Sequence, residues 1–197
     1  MDVLLRKQLY LNIYKCEFGK TYLVYLGYIV GGGEPRIDSS KVEVIVNWPK
    51  TNNVTNVRSF LGATQHWRNF IVNFSFIDSP LHALISVNKF FQWEGKQQEA
   101  FNTLKENIST TPVLALSDLQ ESFEIETYAS GYAMGEILMQ HKKPICYHSK
   151  TFSKKIINYP TYDKELYALV QRVNKLKHYL MGKETIIHTY HQPLQYL

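Results

Sequence analysis

Between residues 121 and 189 the chain spells three strand-like runs, a long amphipathic helix and a fourth run, and few folds accept that order. FEIETYA, YAMGEILMQ and PICYHSKTFS are rich in β-branched and aromatic residues and follow one another closely. TYDKELYALVQRVNKLKHYLMG then carries Leu166, Leu169, Val170, Val173, Leu176 and Leu180 at helical spacing, the predicted buried stripe, and Gly182 is its predicted stop. ETIIHTY returns to strand texture, and HQPLQYL starts a further helix or turn. Three strands, a helix and another strand predict an α/β layer that lacks its last elements.

Upstream the texture is helical. MDVLLRKQ predicts a helix end, and YLNIYKCEFGKTYLVYLGYIVGGG a short antiparallel unit closed by Gly31, Gly32 and Gly33. In DSSKVEVIVNWP, Ser40 and Glu43 stand at capping-box spacing, Val42, Ile45 and Val46 share a helical face, and Pro49 ends the helix. VRSFLGATQHWRNFI predicts a second helix with Val57, Phe60, Leu61, Phe70 and Ile71 inward. Gly62 interrupts it at about 1 kcal/mol relative to alanine, which suggests that something packs close there. EGKQQEAFNTLKENIS predicts a third, with Phe101, Leu104 and Ile108 on one side. The predicted class is therefore mixed α+β with an α/β layer, a small helical region followed by a mixed sheet with a packed helix.

At 197 residues and 45% hydrophobic content the chain can bury a real core. Its 22 Lys and Arg against 17 Asp and Glu leave a formal +5, which suits a polyanionic partner without demanding one. Cys16 and Cys146 show no metal-ligand spacing, so the sequence predicts neither a disulfide framework nor a zinc finger, and an intracellular, reducing compartment is expected. No window is apolar enough for a bilayer, and the N-terminus lacks the apolar run of a secretory signal, which makes the sequons at Asn53, Asn73 and Asn107 incidental.

Specific motifs then add up. Tyr25-Leu26-Gly27-Tyr28, VRSFLGATQHWRNFI, FQWEGKQQEAF, TTPVLALSD, ETYASGYAMG, YHSKTFS, NYPTYDKELYALV, HYLMG and HTYHQPL cover essentially the whole chain. Together they resemble the later part of a gypsy-type LTR retrotransposon polyprotein, from the end of its reverse transcriptase into its ribonuclease H domain. The resemblance implies a palm fragment over 1–33, thumb-like helices over 34–80, a connecting helix and tether over 81–120, and a truncated ribonuclease H-like domain over 121–197. It implies a primer-grip-like turn at Leu26, Gly27 and Tyr28. Further nucleic-acid contacts are implied at Arg58, Gly62, Gln65 and Arg68 of the thumb helix and at Lys150. The family's polymerase aspartates precede the segment with which this chain begins.

Two departures bear on chemistry. Where the family reads Thr-Asp-Ala-Ser this chain has Thr127-Tyr128-Ala129-Ser130, and where it reads Thr-Asp-His this chain has Thr189-Tyr190-His191. Glu165 keeps the family's glutamate, and a fourth acid would fall beyond Leu197. Phosphodiester hydrolysis of this kind holds two Mg²⁺ ions about 4 Å apart. Mg²⁺ takes hard, anionic oxygens, and a neutral phenol cannot replace a carboxylate between two dications. The sequence thus predicts a vestigial Glu165, no metal and no cofactor, with Mg²⁺ bound only if nuclease activity survives.

Plainer readings stand beside these. Glu165 near a helix start is also favoured by the helix dipole. His188 and His191 lack a third ligand at suitable spacing and read as solvated or hydrogen-bonded. Lys142, Lys143, Lys150, Lys154 and Lys155 either contact phosphates or form a solvated run, and Gly62 admits either a nucleic-acid groove or a neighbouring helix. Tyr128 and Tyr190 mark decay, or fill the emptied site. Three functions follow: a non-catalytic module with weak affinity for RNA:DNA hybrid, other nucleic acid or a protein, an active ribonuclease H that cleaves RNA in RNA:DNA hybrids, or a structural or protein-interaction remnant that binds no nucleic acid. A second copy of the chain is a further candidate partner, since an unfinished sheet exposes an edge.

Overall fold

In the computed structural model, residues 2–25, 28–31, 36–86, 90–111, 114–115, 117–182 and 184–189 are described. A short helix α1 (Asp2–Arg6) leads to a three-stranded antiparallel sheet of β1 (Tyr22–Tyr25), β2 (Tyr28–Gly31) and β3 (Arg36–Ile37). Five helices follow: α2 (Ser39–Val46), α3 (Val54–Thr64), α4 (Phe74–Ile77), α5 (Ser79–Leu84) and α6 (Gly95–Ser109). The remainder is a four-stranded mixed sheet of β4 (Phe123–Ala129), β5 (Ala133–Gln140), β6 (Lys143–Thr151) and β7 (Thr185–Thr189), with α7 (Thr161–Leu180) against one face. The predicted mixed α+β class is what the chain adopts.

Capping explains where the helices begin. Asp38, rather than the expected Ser40–Glu43 box, starts α2, its carboxylate accepting from the Ser40 backbone N–H at 3.0 Å and the Ser40 hydroxyl at 2.7 Å. Asn53 accepts from the Asn56 N–H at 2.8 Å, and Glu94 with Gln97 forms the capping box of α6. The stretch predicted as one helix breaks at a 3₁₀ turn, Gln65–Trp67, which drives Trp67 into the core. Trp67 joins Val57, Phe60, Phe74, Leu81, Phe101, Leu104 and Ile108 in one cluster, so α6 packs among the preceding helices. Burying aromatic and aliphatic side chains of this size stabilises each by about 1.5–3 kcal/mol.

The sheet runs in the order β6-β5-β4-β7, with β4 and β7 parallel and the other pairs antiparallel. Alternation along β4 puts Phe123, Ile125 and Thr127 under α7. Tyr128 therefore points to the other face, in register with Gly135 of β5, which pairs in turn with Ser149 of β6.

The face that α7 buries differs from the expected stripe. Of that stripe Leu176 is buried and Leu180 packs against the same core, but Val170 and Val173 are 47% and 38% exposed, and Lys164, Glu165, Ala168 and Arg172 are buried as well. The reason is electrostatic: Arg172 Nε approaches the buried Glu136 carboxylate at 3.6 Å, and another of its nitrogens donates to Cys146 Sγ at 3.1 Å. Arg172 is drawn inward with its partner, because an unpaired buried charge costs several kcal/mol. Gly182 follows α7 in the left-handed region, φ +77°, at the predicted stop.

The helices and the sheet meet along β6, an edge strand whose outward groups are covered. The Tyr147 N–H donates to the Asn69 carbonyl at 2.8 Å, and the Arg68 guanidinium donates to the Ser149 carbonyl at 2.7 Å. The Ser75 N–H donates to Ser149 Oγ at 2.7 Å, and Phe76 packs edge-on against Tyr132 at 5.2 Å. An edge satisfied in this way is closed to pairing with another strand.

Candidate nucleic-acid interface

That junction leaves a cleft of about 930 Å³ between the helices and the end of β6. One wall is α3, which presents Arg58, Leu61 and Gly62 at helical spacing. Gln65 and Arg68 continue this wall, Ser75, Asp78, Ser79 and His82 supply a second, and Lys150 with Thr151 closes the far side. Five residues singled out in the sequence, Arg58, Gly62, Gln65, Arg68 and Lys150, therefore come together although up to 92 positions separate them.

Their roles divide. Arg68 is committed to the fold: besides the Ser149 carbonyl it donates to Ser75 Oγ and Gln65 Oε1, both at 3.2 Å. Arg58 and Lys150 are exposed and have no ion-pair partner among the described residues. Asp78 is the cleft's acid, 4% exposed and bonded to His82 Nε2 at 3.1 Å, and that bond raises the His82 pKa. The cleft is thus basic at its rim, with its negative charge buried and paired. A Cβ built on Gly62 would meet no atom of the described residues within 4 Å, so no described helix requires the glycine. Asp78, His82 and Ser75 were missed in the sequence, where a single Asp-Ser-Pro-Leu-His run was the available signal.

The expected basic run does not form one patch. Lys143 and Lys150 stand at opposite ends of β6, and Lys142 sits in the β5–β6 turn with a φ of 61°. Lys142 lines a separate groove with Glu124, Glu126 and His188. His188 is hydrogen-bonded rather than poised as a ligand, its Nε2 lying 3.0 Å from Glu124, whose pKa this bond lowers. Leu26, Gly27, Tyr190 and His191 lie outside the described residues, and Tyr28 is placed by its backbone alone, in β2.

Tyr128 and Glu165 face different surroundings. The Tyr128 ring lies across Gly135, where an added Cβ would clash with the hydroxyl end of the ring, and its hydroxyl donates to Asn73 Oδ1 on the helical side of the junction. Asn73 reaches it from the left-handed region, φ 58°, which asparagine tolerates. Burial, then the charges of Glu126 and Glu136, push the Tyr128 pKa up to about 12, so the phenol is neutral at pH 7. Glu165, in the first turns of α7, is 7% exposed and accepts from Thr189 Oγ1 at 3.5 Å. Among the described residues no three His, Cys, Asp or Glu side chains gather to hold a metal ion. A carboxylate beside a threonine hydroxyl, with the Tyr128 phenol turned away onto an asparagine, does not fit the Mg²⁺ pair of the resembled family.

Residues 93–187 match the family described as the RNase H-like domain found in reverse transcriptase. The Pol polyprotein of transposon 297 from Drosophila melanogaster is 35% identical over 188 residues, 95% of this chain and 18% of that protein. The polyprotein of transposon gypsy from the same organism is 33% identical over 195 residues, 92% of this chain and 19% of that one. The chain thus spans about a fifth of these relatives. Among solved structures, a foamy viral protease-reverse transcriptase in complex with RNA/DNA hybrid superposes with a TM-score of 0.78 at 20% identity, over 93% of this chain and 26% of that one. A second foamy viral protease-reverse transcriptase, bound to double-stranded DNA, gives 0.77 at 20% identity, over 100% and 36%. At that identity the likeness concerns the fold.

Proposed function

We propose that this chain, which belongs to the gypsy-type retrotransposon Pol family and spans the end of the reverse transcriptase and its ribonuclease H-like domain, binds nucleic acid without cutting it. The observation that carries this reading is the meeting of Arg58, Gly62, Gln65, Arg68 and Lys150 in one open, basic-rimmed cleft. Arg58 and Lys150 contact backbone phosphates from opposite walls. Gly62, bare and facing open space, lets a sugar-phosphate backbone approach α3 more closely than any side chain would. Arg68 is a positioning residue that fixes α3 against β6. Foamy viral reverse transcriptases of the same fold are bound to hybrid and to duplex DNA, which favours a double-stranded ligand.

The missing cleavage follows from Tyr128. A phenol that stays neutral and is engaged by Asn73 neither neutralises nor bridges metal ions, and Glu165 cannot assemble the centre alone. Affinity of this sequence-independent kind is about 10⁻⁴ to 10⁻⁶ M at physiological salt. A fluorescence titration with hybrid, duplex and single strands tests it. Binding should weaken with salt, and Arg58→Glu should weaken all three ligands alike. Absence of binding at low salt would overturn the binding half, and Mg²⁺- or Mn²⁺-dependent cleavage lost in Glu165→Gln would overturn the other.

One observation favours a second reading, contact with protein. Leu9, Tyr10, Ile13, Tyr14, Phe18 and Tyr22 are between 58% and 101% exposed, a concentration of apolar surface at one end of the chain. Sedimentation at tens of micromolar tests whether a second copy covers it, and a strict monomer excludes that copy.

A further inference from the structure

α7 lies over β4 and β5 and meets β6 through the Arg172 and Lys175 side chains, and a groove of about 530 Å³ opens there beside the junction. Its floor is Met134, its strand side is His148 and Lys150, and α7 overhangs it with Gln171, Asn174 and Lys175. Arg68 closes the end that adjoins the larger cleft, and Lys150 lines both. We propose that this groove is a phosphate-binding site, with Lys150 and Lys175 supplying charge and Gln171 and Asn174 supplying amide donors.

The arrangement is costly without an anion. Lys175 Nζ lies 3.2 Å from His148 Nε2, so the ammonium donates and the ring's own proton sits on Nδ1, which is buried with no hydrogen-bond partner among the described residues. Lys150, Lys175, Arg172 and Arg68 all bear on that imidazole, and burial with these four charges pushes its pKa down to about 3. Glu136 is the acid that faces them, and burial raises its pKa to about 7, so at neutral pH it offsets only part of the positive field. The Lys175 pKa is lowered too, first by burial and then by Arg172 and Arg68. A phosphate offers what the groove lacks, negative charge and several acceptor oxygens for ammonium and amide donors. The donors come from two elements held at a fixed distance: β6 pairs with β5, and the buried Arg172–Glu136 pair ties α7 to that same strand.

The source of the phosphate rests on the binding role of the larger cleft. Because Lys150 lines both, a backbone lying in that cleft reaches the groove with its next phosphates, whereas a free phosphate would enter from solvent. The test is an NMR titration of the intact chain with inorganic phosphate at pH 7, at constant ionic strength in chloride, together with salt-dependent titration of an RNA:DNA hybrid. His148 and Lys175 resonances should shift saturably with phosphate, and the His148 pKa should rise by about 1 unit or more, as an anion within a few ångströms requires. Lys175→Gln should abolish the shifts, and Asn174→Asp should do so while leaving the Lys175 charge in place. Circular dichroism reports the fold of both variants. Lys175→Gln should also lower the salt slope of hybrid binding by about 1. Phosphate shifts with an unchanged hybrid slope would assign the groove to a free phosphate. No saturable shift and no change in slope would overturn the site, even with hybrid binding intact. Loss of hybrid binding in Arg58→Glu with phosphate shifts preserved would show the two sites to be separable.

Discussion

Returning Tyr128 to the family's aspartate should weaken the fold rather than restore a nuclease. The half-buried ring covers Gly135, and losing about half of a full aromatic burial costs about 1–1.5 kcal/mol. Its hydrogen bond to Asn73 contributes about 1 kcal/mol. A carboxylate in its place would also meet the charges of Glu126 and Glu136, the same two that raise the phenol's pKa. Tyr128→Asp should therefore destabilise by about 2–3 kcal/mol, which at a urea dependence of about 2–3 kcal/mol per molar moves the midpoint down by about 1 M. Tyr128→Phe isolates the hydrogen bond and should cost about 1 kcal/mol. In a double-mutant cycle with Asn73→Gly, a replacement that keeps the positive φ, the coupling should be about 1 kcal/mol. Urea unfolding followed by tryptophan fluorescence reads the parent, the three single variants and the double mutant. A Tyr128→Asp protein as stable as the parent, or a coupling near zero, would refute the claim that this tyrosine ties sheet to helices.

Gly62→Ala should stabilise by about 0.5–1 kcal/mol, since nothing obstructs a Cβ in α3, and should weaken hybrid binding; parallel gains in stability and affinity would contradict the close-approach role. His148 has a folded pKa of about 3, below its unfolded value of 6.5, so its contribution is present above pH 6.5 and is lost as pH falls toward 3. Glu136 has the opposite sign, its raised pKa of about 7 making stability fall as pH climbs from 4.5 to 7. His148→Gln should therefore lose less stability than the parent between pH 7 and pH 4, measured by urea midpoints, and an equal loss would refute the assignment. Millimolar Mg²⁺ should leave the thermal midpoint unchanged, because a ligand stabilises only through preferential affinity for the folded state. A rise of several degrees that Glu165→Gln removes would count against the reading.

Much of the fold was legible because its signals were local. The run FEIETYA is strand β4 residue for residue, and EGKQQEAFNTLKENIS contains α6 with its capping residue and the inward side chains Phe101, Leu104 and Ile108. Where partners are distant, local pattern misled. Hydropathy assigned Val170 and Val173 to the interior of α7 because nothing in the helix itself announces that Arg172 will find Glu136 on β5. The basic run looked continuous because sequence distance does not show that β6 carries Lys143 and Lys150 to its two ends. Helices α4 and α5, of four and six residues, are too short to display a period, and the first begins at an asparagine in a left-handed conformation. The cleft residues Arg58, Gly62, Gln65 and Arg68 were legible as a set because they lie on one short stretch of chain. Lys150 joins them only through the junction, which no pattern in the sequence displays.

The glycine in YAMGEILMQ was the one available hint of what Tyr128 does, since glycine inside a strand marks a close approach. Period-two alternation puts positions 127 and 128 on opposite faces, so Thr127 lies in register with Thr189 on the side where Glu165 is buried, while Tyr128 shares a face with Gly135 and Ser149. A ring at 128 therefore does not plug a vacated pocket beside Glu165. It crosses the neighbouring strand and ends on Asn73, in the row where Ser149 already engages Ser75 and Arg68. On the proposed reading, one replacement has two effects: it removes a metal ligand and adds a contact that stiffens the junction. That junction sets the distance between Arg58 on α3 and Lys150 on β6, the two charges on opposite walls of the cleft. Charges held at a fixed spacing bind phosphates without the entropy of arranging them, so on that reading the loss of cleavage is matched by a gain in the geometry that binding requires.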